Sequence, residues 1–220
     1  LEHVRDLNPH KLAGTVSDVY RLLRKVPCAM TRRQIRDALT TAHAELIERN
    51  FATHSSPGSY NLRGVLLFGA AETLRSRMAA DLLASGRVEA FGRFMRISHD
   101  GDRVSVRHAD GRYVRNRSDC GDDYLDRLIR DLHSEDPDKV LNAQLYMQPG
   151  AYACSTPDID EMVDVACEVP GVAGAQIAGA GLGGCVMILV RADAVEKVRR
   201  ALSRKYYRPR KLKSAILECV

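Results

Sequence analysis

Between Ala178 and Cys185 the chain reads Ala-Gly-Ala-Gly-Leu-Gly-Gly-Cys. Glycine opens backbone conformations closed to other residues and takes side chains off a loop surface. A bare backbone of that kind can come close to a phosphate and donate its N–H groups. The chemistry on offer at Gly179, Ala180, Gly181, Leu182, Gly183 and Gly184 is therefore anion binding by the main chain. A tight turn is the other reading of the same residues. The run is not a dinucleotide-binding loop, because an apolar strand follows it instead of a helix, and it lacks the Lys-Ser or Lys-Thr of a Walker loop.

The elements that would position the run are short and apolar. Val172–Ile177 and Val186–Val190 read as strands bounded by glycine. Before them Ser155 or Thr156 can cap a helix with Pro157 in its first turn, and Asp158, Asp160 and Glu161 suit its positive end. Its inward face would be Ile159, Met162, Val163 and Ala166, with Pro170-Gly171 as the stop. Ala194–Leu202 reads as a further helix and Lys213–Val220 as a final strand. Helix, strand, strand, helix, strand suits an antiparallel sheet covered by helices, an α+β class.

Residues 1–55 have helical periodicity, with a Thr31–Gln34 capping box opening one helix. Leu66–Leu83 and Val88–Ile97 read as helices, the first ended by Gly86. His99 to Arg103 reads as a turn around Asp-Gly-Asp, because neither a calcium loop nor a base is completed there. Strands around Asp110-Gly111 form a polar, exposed hairpin. Tyr124–Leu132 is a short amphipathic helix, and Asp136-Pro137-Asp138 starts a linker. His43 and His54 lack partners at ligand spacing and read as surface or packing residues.

Three segments in order resemble the GHMP kinases, and most of all their galactokinase branch. Phe91-Gly-Arg-Phe-Met-Arg-Ile-Ser-His99 is similar to Phe-Gly-x-Leu-Met-x-x-Ser-His. Ser155-Thr-Pro-Asp-Ile-Asp160 is similar to a Ser-Thr-Pro-Glu-(Leu/Ile)-Asp helix start, with Asp158 in place of Glu. Gly179–Cys185 is similar to Gly-Ala-Gly-Phe-Gly-Gly-Cys, with Leu182 in place of Phe. Glu72 and Arg75 match a Glu-x-x-Arg segment, although at that spacing an exposed or half-buried ion pair is the ordinary outcome.

The resemblance implies a ferredoxin-like C-terminal domain over residues 61–220, preceded by a helical segment, residues 1–60, continuing from a missing N-terminal half. It implies an ATP-dependent sugar kinase, active as the complete protein and inactive as this chain alone. The glycine run would approach the substrates. ATP and Mg2+ would be bound mainly by the missing half, since the family's phosphate loop, sugar segment and catalytic Asp do not occur here. No catalytic side chain and no metal ligand is assigned to this chain. The competing expectations are a non-catalytic binding module on the same fold, or a GHMP kinase with another acceptor such as a heptose, arabinose or mevalonate.

Composition agrees with a folded domain: 45% of the 220 residues are hydrophobic, enough for a sizeable core. No apolar run is long enough to span a membrane, and no secretory signal is visible. The six cysteines are scattered without a Cys-x-x-Cys pair, which argues against zinc and for a reducing cytoplasm. Net charge is +5, but 33 basic residues are interspersed with 28 acidic ones, so a nucleic-acid partner is not expected. Cys185 reads as a buried small residue. Apolar surface left on the N-terminal helices would favour a homodimer.

Overall fold

The computed structural model describes residues 3–179 and 184–219. The first part is helical: α1 (Pro9–Leu12), α2 (Val16–Arg24), α3 (Arg32–Ala38) and α4 (Ala44–Ala52), with β1 (Ala29–Met30) paired to β2 (Tyr60–Asn61). Two long helices follow, α5 (Leu62–Ala84) and α6 (Val88–Asp102). A hairpin of β3 (Ser105–Arg107) and β4 (Tyr113–Arg115) leads to α7 (Asp122–Asp131) and α8 (Pro137–Asn142). The last part is α9 (Pro157–Cys167), β5 (Val172–Ala178), β6 (Cys185–Val190) and α10 (Val195–Leu202). All three strand pairs are antiparallel, each a separate two-stranded sheet. The class is α+β, as expected.

Local chemistry explains many of the boundaries. Thr31 and Gln34 form the expected capping box. Thr156 caps α9 by accepting the Ile159 N–H, and Pro157 fills the first helical position, where its missing N–H costs nothing. Gly86 and Gly111 both take left-handed φ, ending α5 and turning the β3–β4 hairpin.

Two apolar clusters hold the chain together. Val19, Leu23, Leu67, Ala71, Leu125 and Leu145 join α2, α5, α7 and the turn before residue 148. Ile159, Val163 and Ala166 of α9 close over Ala175 and Ile177 of β5, and Val198 and Leu202 of α10 pack beside them on Val165 and Val172. Helix α6 lies between the two regions and touches both α5 and β5. Its Gly92 sits against the backbone of Ala173 and Gly174, and a methyl on either glycine would overlap main-chain atoms of the other element. That close approach is what the Phe91-Gly92 pair supplies.

Three expectations are corrected. His99 to Asp102 is the last turn of α6, not a loop: His99 and Asp102 are buried, Gly101 lies flush on Phe68 and Pro149, and tertiary packing overrides the turn preference of Asp-Gly-Asp. Asp136 opens a short helix instead of a linker, its carboxylate accepting the Asp138 and Lys139 N–H groups. Residues 213–219 form no strand, because only Ile216 finds an apolar surface and Leu217 stands 92% exposed. The expected half-buried ion pair with Glu72 is made by Arg75. It is 2% exposed and donates to the carbonyls of Tyr146 and Gln148 as well as to the Glu72 carboxylate, tying α5 to the chain before α9.

Candidate functional site

The glycine run leaves β5 at a defined point. Strands β5 and β6 stay in register up to the Ala178–Cys185 pair, with a bulge only at the far end near Val172. Gly179 then takes φ +75° with open space around it, a conformation that a side chain would strain. Gly184 closes the other side; a methyl there would make only ordinary contact with the Ala178 carbonyl. Both are exposed. Ala180, Gly181, Leu182 and Gly183 lie outside the described residues.

Cys185 is exposed, contrary to expectation. It opens β6, whose far edge carries no further strand among the described residues. Cys154 is the thiol in a charged setting: it donates to Asp102 at 3.1 Å, and burial followed by that carboxylate pushes it up to about 12, which makes it a poor nucleophile at neutral pH. Burial likewise raises the Asp102 carboxyl above the ordinary carboxylate range.

Beneath the hairpin lies a polar contact made by two of the recognised segments. His99, from the end of α6, and Asp160, from the first turn of α9, are both 0% exposed. Asp160 Oδ2 accepts the N–H of Val104 at 3.1 Å and the N–H and hydroxyl of Ser105 at 2.8 and 2.9 Å. Asp160 Oδ1 faces His99 Nε2 at 3.3 Å. Burial alone would raise the Asp160 carboxyl, but hydrogen bonding from His99, Ser155 and Ser105 outweighs it and holds the carboxyl below its ordinary value. From sequence alone Asp160 has only a favourable place at a helix end, and His99 falls in a turn. The signal is present, since each of the two segments ends on an ionisable residue; their meeting is not.

A separate open groove of about 560 Å³ lies among α6, the β3–β4 hairpin and α9. Its charges neutralise one another: Arg103 pairs with Asp164 at 2.8 Å and Arg107 with Glu168 at 2.6 Å. His43 and His54 are exposed, and His54 shares a hydrogen bond with the Tyr60 hydroxyl. No helix among the described residues is long and apolar enough to cross a membrane.

Parts of the chain are similar to known proteins. Residues 123–208 match the family model described as GHMP kinases C terminal. The chain is 27% identical over 135 residues to a galactokinase of Exiguobacterium sibiricum, covering 61% of this chain and 23% of that protein. It is 36% identical over 56 residues to a galactokinase of Bos taurus, covering 26% of this chain and 14% of that protein. With a galactokinase of Roseiflexus it shares 41% over 56 residues, again 26% and 14%. The matches thus span less than a quarter of these relatives' own lengths. Residues 123–208 thus match a GHMP kinase C-terminal family model, and parts of the chain are similar to galactokinases.

Proposed function

We propose that this chain is the C-terminal part, residues 61–220 with the helical segment 1–60 before them, of an ATP-dependent kinase that phosphorylates a sugar hydroxyl, the anomeric one. The observation that carries the reading is that β5 and β6 pair up to Ala178–Cys185 with exposed Gly179 and Gly184 at the two ends of the glycine run, inside the span that matches the GHMP kinase C-terminal family. Phosphoryl transfer is mostly positioning and electrostatic stabilisation. A main-chain loop with no titratable side chain suits that chemistry. Its N–H groups would lie against ATP or the sugar while the phosphate loop, base and Mg2+ come from residues beyond this chain.

The test is an ADP-release assay of the complete protein with ATP, Mg2+ and a panel of sugars. Turnover with a sugar is expected, and Gly181→Val should lower it about 100-fold while the melting temperature stays put. No turnover with any sugar would favour the non-catalytic binding module. Full activity in Gly181→Val would remove the glycine run from the site.

A further inference from the structure

We propose that His99 and Asp160 are a positioning pair that sets where β5 ends and therefore where the glycine run begins. Strand β5 has β6 on one side and no strand on the other among the described residues. At Ile177 the missing neighbour is replaced by a side chain: the Ile177 N–H donates to His99 Nδ1 at 3.4 Å. A ring nitrogen that accepts cannot carry a proton, so the His99 proton sits on Nε2. That nitrogen faces Asp160 Oδ1 at 3.3 Å, and among the described residues neither atom makes a hydrogen bond of good geometry.

Asp160 is itself immobilised, because its other oxygen takes three donors from Val104 and Ser105. The carboxylate therefore selects the tautomer, and the tautomer holds the strand. The connection runs from the first turn of α9, through the last turn of α6, to the residue two before Gly179. All of it is dry: both side chains are fully buried, where an unpaired polar group is costly. Gly179 leaves the strand in a left-handed conformation, directly after the backbone of Ile177 and Ala178. Asp160 and His99 touch no substrate in this scheme and act through β5.

The functional consequence rests on the kinase reading; the structural one does not. Amide hydrogen exchange of the 220-residue chain therefore comes first, on His99→Ala, His99→Gln and Asp160→Asn. Exchange in β5 should rise at least about tenfold in His99→Ala, with α2, α5 and α7 unchanged. The carboxamide of His99→Gln can accept from Ile177 and donate to Asp160, and should restore most of the protection. In the complete enzyme, kcat should fall about 100-fold in His99→Ala with KM for the sugar unchanged, and His99→Gln should recover at least about tenfold.

Unchanged exchange in β5, equal acceleration in β5 and α2, or glutamine no better than alanine would overturn the proposal. If His99→Ala does not fold, His99→Gln and Asp160→Asn make the same comparison. A wild-type protein without kinase activity would sink the kinase reading and leave the exchange result to decide the pair.

Discussion

Strands β5 and β6 are partners in one hairpin and yet live in different environments. β5 reads Val-Ala-Gly-Ala-Gln-Ile-Ala and buries Val172, Gly174, Ala175 and Ile177. β6 reads Cys-Val-Met-Ile-Leu-Val, is the more hydrophobic of the two, and has no fully buried residue; Met187 is 47% exposed. The smaller side chains mark the buried strand. They allow the α6 backbone to reach β5 at Gly92, and α9 closes its other approach with Ile159, Val163 and Ala166. The larger side chains of β6 find cover on one face only, through Val186 and Ile188. Hydrophobicity alone would have ranked the two strands the wrong way round. Gly179 thus leaves a largely buried strand, and Gly184 leads into one with no buried residue.

The sharpest way to break this contrast is at Asp160. Asp160→Ala should lower the unfolding free energy by about 3–5 kcal/mol in urea, because it leaves the donors of Val104, Ser105 and His99 buried without an acceptor. The same residue predicts an acid limb. Its folded-state carboxyl lies below the ordinary value, so its contribution is complete above about pH 4 and is lost as pH falls through the lower folded value. Asp102, raised by burial, acts in the opposite sense and is relieved by acid. Urea midpoints measured from neutral to strongly acidic pH should therefore fall less steeply for Asp160→Ala than for the wild type.

Gly174→Ala comes next, with an expected loss of about 3 kcal/mol from overlap with the Gly92 backbone, read by the same titration. Thr156→Ala should cost about 1 kcal/mol by removing the acceptor for the Ile159 N–H. Met187→Ser on β6 should change stability by no more than about 0.5 kcal/mol. A loss at Met187 as large as that at Gly174 would erase the distinction between the strands.

What was legible from sequence had a local cause. The Thr31–Gln34 box, the Thr156-Pro157 start of α9, the turn at Asp110-Gly111 and the two strands around the glycine run each depend on residues within a few positions of one another. Such preferences act before any tertiary contact exists, and the three ordered segments that pointed to a GHMP kinase are of the same short-range kind. What failed depended on partners distant along the chain. The turn preference at His99–Arg103 lost to burial against α5 and β5, and Cys185 stayed outside although Val186 and Ile188 of the same strand pack against α9.

The sequence by itself determined the capped helices, the hairpins, the α+β class and the family resemblance, since periodicity, caps and turn residues are written in neighbouring positions. Only the tertiary structure decided that His99 and Asp160 meet beneath β5 and that the more polar-looking strand is the buried one. Burial and hydrogen-bond satisfaction belong to surfaces brought together across the fold, and no stretch of sequence states which surfaces those will be.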